Sequence, residues 1–398
     1  MTEGLFTQTH QRGPVRSEVG SRAWLQAMLD SEAALAIACA EAGIVPAEAA
    51  QAIAVACEDA AAYNERELGI LAVETGNPVV GLVAAIRAAI PNKVAAHVHR
   101  GATSQDIVDT AAMLVVSRAI SALLTDLDSC AAAAARLARV HRDTPMIART
   151  LLQQAVPITF GLKAAQWLQG LGVARARLLV LQAGLPAQLG GAAGSLDGYP
   201  DAATGLEIAR VFAARLGLTA ARTPWHTLRY PIGDIAGTLA TTAGLLGKIG
   251  LDLILLVQNE VAEITMSVDR RGGSSIMAHK RNPVAAVAAR SAAKRAPRLA
   301  ATLFAAMEQE HERAAGAWHA EWPTLSDLLT CVGSATAWLH DALDSVRADE
   351  QVMARNLAAL GPTKSPTSAV ALIDRALADH LRAIENSEQA TTDNEGTN

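Results

Sequence analysis

Apolar residues recur along most of the chain at the three- and four-residue spacing of a helix face. The stretch WLQAMLDSEAALAIACAEAG, residues 24 to 43, has this period and stops at Gly43, where a helix ends readily. A second helix opens at IVPAEAAQAIAVACEDA, with Pro46 near its start. The same period predicts long helices over 103–141, 155–184, 233–267, 283–313 with a kink at Pro297, and 324–347. Alanine sits on most faces of these helices, so each is expected to be covered on several sides at once. That implies a helical bundle, and one shared between subunits. No run of alternating β-branched residues predicts a competing strand, and no internal repeat is visible. The tail from about Ser387 is polar and aperiodic, which predicts disorder.

Composition sharpens this picture. Hydrophobic residues make up 51% of the 398 positions and aromatics only 3%, so the core must be built from Ala, Leu, Val and Ile. Such residues favour close-packed helices over a β-sandwich. A net charge of -5 and a pI of about 6.1 speak against a nucleic-acid partner, which requires a basic face. Cys39, Cys57, Cys130 and Cys331 stand singly without CxxC spacing, which predicts buried apolar residues rather than a zinc site or a disulfide framework. The opening MTEGLFTQTHQRG has no basic segment leading into an apolar run. The apolar stretch GTLATTAGLLGKIGLDLILLV is interrupted by Lys248 and Asp252. No membrane span is expected, and the expected location is the cytoplasm.

Three polar segments interrupt the helical pattern. GGSSIMAHKRNP, residues 272–283, ends in Asn282 as a helix N-cap followed by Pro283 in the first turn. A helix N-terminus offers free N–H groups to an anion, and here Ser274, Ser275 and Lys280 stand beside it. HVHRGATSQDIVDTA, residues 97–111, has the same form: Thr103 and Asp106 make a capping-box pair, with His99, Arg100 and Ser104 around it. The His97-x-His99 spacing suits a metal, but no further ligands complete a set, so no metal is expected. ARTLLQQAVPITFG, residues 148–161, places Arg149, Gln153 and Gln154 before Pro157, with Gln153 available as a helix cap. QLGGAAGS, residues 188–195, matches no phosphate or dinucleotide loop and predicts a tight turn.

These three segments resemble the signature regions of the fumarase/aspartase superfamily. The third signature of that superfamily, GSSxMPxKxNP, is matched here by GSSIMAHKRNP, with Ala278 in place of proline. The resemblance spans roughly residues 17 to 357 and is strongest to the carboxymuconate cycloisomerase branch, through QAMLDSEAALA, ETGNPVVGLV, LPAQLGGAAGSL, PWHTLR and QEHERAAGAWHAEW. It implies an all-α fold of three domains, at 1–102, 103–347 with the central long-helix bundle, and a shortened 348–398. It also implies a homotetramer whose active sites draw the three signatures from three subunits, a small polycarboxylate substrate, and no cofactor or metal.

Roles carried over from the resemblance are as follows. Ser274 is the base that takes a proton beside a carboxylate. Lys280, Asn282 and the helix N-terminus stabilise the dianion that forms, and His99 is a proton donor or hydrogen-bond partner. Thr103, Ser104 and Gln153 hold substrate carboxylates, Ser275 and Met277 belong to the same binding surface, and Asn77 and Arg229 stand near the rim.

The departures bear on the reaction. Many members of the superfamily pair a histidine at the position of Leu151 with a glutamate at that of Val287, and both are aliphatic here. Such a pair helps to expel a basic leaving group. Opening a lactone expels a carboxylate, whose conjugate acid has a pKa of about 4 and needs no such help. The expected reaction is therefore a cycloisomerisation between a carboxymuconate and its lactone. A nitrosuccinate lyase passes the same test. Adenylosuccinate or argininosuccinate cleavage, and a non-catalytic paralogue, are the remaining alternatives. Arg-Tyr-Pro at 229–231 replaces the usual Arg-Asp-Arg, and after Asn356 the chain jumps to the last helix expected of the third domain.

Overall fold

The computed structural model describes residues 4–5, 7–266, 272–273, 276–277, 280–361 and 368–395, the last ten of these as backbone only. Helices dominate it. They are α1 (Ser21–Glu41), α2 (Ala47–Ala56), α3 (Glu65–Thr75), α4 (Val79–Ala89), α5 (Ser104–Val140), α6 (Phe160–Ala183), α7 (Ala202–Arg215), α8 (Tyr230–Val257), α9 (Val284–Ala305), α10 (Ala317–Asp344), α11 (Glu350–Ala358) and α12 (Ala369–Glu395). Shorter helical turns fill the connections. A hairpin of β1 (Pro145–Thr150) and β2 (Gln153–Thr159) lies between α5 and α6, and β3 (Ile264–Met266) pairs with β4 (Val346–Ala348).

The bundle is built from α5, α6, α8, α9 and α10, with α1 packed on α5 and α12 on α6. Alanine makes the close crossings possible. Ala285, Ala286, Ala289, Ala292, Ala293, Ala296 and Ala300 of α9 are all buried. A Cβ at Gly250 of α8 would lie 3.2 Å from the Ala286 carbonyl oxygen, so the backbones of α8 and α9 nearly touch there. Both α5 and α8 are long and apolar enough to cross a membrane by length and composition; neighbours cover most of α5, but less of α8. All four cysteines are buried and unpaired, and burial pushes the thiols of Cys39 and Cys331 up to about 11.

Several boundaries differ from expectation for identifiable reasons. The residues before Phe160 form β2, because Gln153 to Thr159 pairs with Pro145 to Thr150 and finds its hydrogen bonds there. Thr159, not Gln153, caps α6 by accepting from the Leu162 N–H at 3.1 Å. Helix α8 begins early, with Pro231 in its first turn, and ends at Val257. Helix α10 starts at Ala317 and runs through Pro323, and α9 runs through Pro297, whose ring lies on an exposed face. The tail expected to be disordered continues α12 to Glu395; residues 387–395 contain no glycine or proline to stop it.

Candidate active site

The first signature sits at the start of α5. Thr103 is extended at the N-cap and its N–H donates to Asp106 Oδ2 at 2.9 Å, so the expected capping pair forms. Asp106 is fully buried and does more than cap. It accepts from the Gly190 and Gly191 N–H groups, each at 2.9 Å, and bonds His226 Nε2 at 2.7 Å. The glycine-rich turn is therefore a scaffold for the first signature. Gly101, with φ +75°, lets the loop pass against Tyr199: a Cβ there would lie 2.6 Å from the ring, and the Tyr199 hydroxyl donates to the Arg100 carbonyl at 3.2 Å. Gly101→Ala combines a left-handed strain with this overlap and is expected to destabilise the protein by about 1–3 kcal/mol in urea titration. An unchanged unfolding midpoint would show that the loop yields freely.

His99 stands just before this turn, itself at φ +65°. Its Nδ1 lies 2.6 Å from Oε1 of Glu32, a fully buried carboxylate on α1. Burial alone would lower the imidazole pKa, but the hydrogen bond and charge of Glu32, with Asp106 adding, hold it above the usual histidine value against the opposing Arg87. Asn77 lies at the surface between α3 and α4, where its Oδ1 accepts from the Val79 N–H at 3.1 Å.

Arg229 does not stand near a rim. Its side chain is wholly buried, gripped by Asp109 at 2.7 and 2.9 Å and by Glu321 at 3.0 and 2.5 Å, with its guanidinium over the Trp225 ring. Trp318, Gln105 and Gln188 donate to Asp109, and Gln309 donates to Glu321. Both faces of the guanidinium fork are already filled by carboxylates, so it is a structural tie between the starts of α5 and α8. Burial would lower its pKa, but Asp109 and Glu321 together raise it.

The second signature is the β-hairpin. Gln153 pairs with Thr150 and is exposed beside the two-residue turn Leu151–Leu152. Both leucines have positive φ, +51° and +64°, and Leu151 is 96% exposed. Turns of this kind favour asparagine and glycine, so two leucines here carry strain as well as unprotected apolar surface. Arg149, at the base of the turn, makes a bidentate pair with buried Glu263 at 2.8 and 2.9 Å, and Asn356 also donates to Glu263. Arg149 thus ties the hairpin to the chain leaving α8.

The third signature is a loop pinched at its neck. The Asn282 N–H and its side-chain amide both donate to the Gly272 carbonyl, at 2.8 and 3.1 Å, and Gly273 bridges Arg281. Asn282 is consequently not the N-cap: its amide turns back to the neck, and Pro283 occupies the cap position of α9 without a side-chain bond. Lys280 and Met277 are exposed on the loop, and Val287 on the first turns of α9 is 49% exposed. Ser274, Ser275 and Ala278 lie outside the described residues.

One chain does not bring the three signatures together. Helix α8 starts beside the first signature, through Arg229 and Asp109, and its 28 residues span on the order of 40 Å. It ends beside the second, through Glu263 and Arg149, and α9 begins at that same end. Cavities of about 420 and 590 Å³ are lined respectively by residues such as Trp24, Leu68 and Trp322 and by Asp128, Leu168 and His380; the first meets the signatures only at apolar Val108, and the second meets none of them. Among the described residues, no group of three or more His, Cys, Asp or Glu could hold a metal.

Glu32, Asp109, His226 and Glu321 carry much of this architecture without standing out as chemistry in the sequence. The available signal was a charge on an otherwise apolar stripe: Asp106 and Asp109 one turn apart on α5, and Glu32 within AMLDSEAALA, each in need of a buried partner.

Known proteins agree with the geometry. The family described as lyase matches residues 5–297. A nitrosuccinate lyase of Streptomyces davaonensis is 46% identical over 367 residues, covering 89% of this chain and 77% of that protein. A 3-carboxy-cis,cis-muconate cycloisomerase of Bradyrhizobium diazoefficiens is 46% identical over 348 residues, covering 86% and 76%. The crystal structure of a 3-carboxy-cis,cis-muconate lactonizing enzyme from Pseudomonas putida superposes with a TM-score of 0.87 at 34% identity, covering 96% of this chain and 99% of that one. With its long-helix bundle and its first signature at the opposite end of α8 from the other two, the chain belongs to the lyase family of the fumarase/aspartase superfamily.

Proposed function

We propose that the protein is a cytoplasmic homotetramer that interconverts 3-carboxy-cis,cis-muconate and 4-carboxymuconolactone without metal or organic cofactor. The observation that carries this reading is the aliphatic pair Leu151 and Val287, which leaves the second and third signatures without the histidine–glutamate pair that a basic leaving group needs. Relatives bearing the cycloisomerase name over most of the chain support it. In the lactone-opening direction Ser274 takes the proton beside the carboxylate, Lys280 and Asn282 stabilise the resulting aci-carboxylate, and the ring oxygen leaves as a carboxylate. Thr103, Ser104 and Gln153 hold the substrate's other carboxylates.

Surface that a single subunit leaves open supports this assembly. Leu151, Leu152, Val156, Ile276 and Val287 are exposed, and α8 has an incompletely covered apolar face. A strained leucine turn is stable when another subunit encloses it, and signatures at opposite ends of a helix about 40 Å long can meet when subunits pack side by side.

A second reading, elimination of nitrite from nitrosuccinate, is favoured by the 46% identity to the Streptomyces enzyme, since nitrite is also a weakly basic leaving group. Adding purified protein to 3-carboxy-cis,cis-muconate is expected to bleach the muconate absorbance, while nitrosuccinate, adenylosuccinate and argininosuccinate stay intact. Turnover of nitrosuccinate alone would transfer the proposal to the second reading. Turnover of adenylosuccinate or argininosuccinate would overturn the leaving-group argument.

A further inference from the structure

Glu32 is a buried carboxylate with an unusual set of partners. Oε1 meets His99 Nδ1 at 2.6 Å, whereas Oε2 is buried with no hydrogen-bond partner. An isolated carboxylate in an alanine-rich helix is costly, and it is stabilised here through one imidazole. His99 sits on a loop held from several sides. Arg87 of α4 donates to the Val98 carbonyl at 3.2 Å, Tyr199 donates to that of Arg100, and Gly101 is closed against the Tyr199 ring. The charged groups facing His99 are Glu32 from α1, Asp106 from α5 and Arg87 from α4. With Nδ1 committed to Glu32, Nε2 has no hydrogen-bond partner among the described residues, and the ring is partly open to solvent four positions before Thr103.

We propose that Glu32 is a positioning residue of the first signature: it fixes His99 through Nδ1, so that Nε2–H is presented as a charged donor to a substrate carboxylate beside Thr103 and Ser104. This rests on the polycarboxylate reading above. It assigns His99 to binding rather than to proton delivery, as a carboxylate leaving group requires. The anion then meets an imidazolium, two hydroxyls and the N-terminal end of α5 together. With Nδ1–H held by Glu32, a neutral imidazole would turn the Nε2 lone pair toward the substrate and repel a carboxylate; the Glu32 charge counters this by favouring the doubly protonated ring, in which Nε2 also carries a proton.

The test compares Glu32→Gln and His99→Gln with wild type between pH 6 and 8.5, using the panel compound that wild type turns over. Glu32→Gln is expected to raise KM by about tenfold at pH 8 with kcat little changed, and to return to within about twofold of wild type at pH 6, where histidine is protonated without help. His99→Gln is expected to raise KM at every pH. Exchange of the His99 C2 hydrogen for deuterium, followed by mass spectrometry, reports the imidazole titration with no substrate present. Its midpoint is expected to fall by about one pH unit in Glu32→Gln. If wild type turns over no panel compound, the functional reading fails, and the exchange midpoint still decides the Glu32–His99 coupling. A KM increase that persists equally at pH 6, or an unmoved midpoint, overturns the proposal. Should Glu32→Gln not fold, an ordinary histidine midpoint for His99 in wild type would do the same.

Discussion

Lys280→Met and Ser104→Ala, each expected to lower activity by about 10²–10³-fold alone, recover about a quarter of wild-type activity when unfolded together in equal amounts and refolded as mixed tetramers. The expectation follows from the span of α8. Ser104 lies at the end where Arg229 meets Asp109, and Lys280 belongs to the far end, where Arg149 meets Glu263. A site that takes its first signature from one subunit and its third from another receives both intact residues in about one random assembly in four. If one subunit supplied both, every site would carry one lesion and mixing would restore nothing. The second outcome would sink the shared-site reading, whatever the substrate. Light scattering on the same samples separates failure to assemble from failure to complement.

The long helices are legible in the sequence because their apolar faces hold the helical period over many turns, and the turn at Gly190 is legible from its glycines. The hairpin is not. Residues 145–159 are short, alternate weakly and carry two leucines where a turn of this type favours asparagine and glycine, so nothing local distinguishes them from a helix approach. The candidate site segments are legible for a different reason: polar runs such as GGSSIMAHKRNP have no packing role that an alanine-rich bundle would require. What hides them is partnership. That Asn282 turns back to Gly272, or that Glu32 reaches His99 from 67 positions away, depends on long-range contacts that leave no local trace. Arg229 shows the same limit. Its place in PWHTLR suggests a cation for substrate, and only Asp109 and Glu321, far along the chain, reveal that the charge is already used.

That assignment predicts the largest stability loss in the molecule. Arg229→Met keeps much of the side-chain volume but leaves Asp109 and Glu321, both buried, with no cation between them. Breaking a buried pair by removing one partner typically costs about 3–5 kcal/mol, well above the yield of a surface ion pair. Two carboxylates facing each other without the guanidinium favour proton uptake, so their pKa values in the folded variant rise above those of the unfolded chain. The deficit is therefore full only above those raised values and shrinks as pH falls through them toward the ordinary carboxylate range, because the folded state takes up protons first and loses the repulsion. Urea unfolding of the variant and wild type at pH 7.5 and 5 should show the gap narrowing at the lower pH. Arg229→Lys restores charge but not the two-sided fork, and is expected to recover only part of the loss. If Arg229→Met unfolds like wild type while KM rises, the guanidinium is not the tie between α5 and α8 and belongs to the substrate after all.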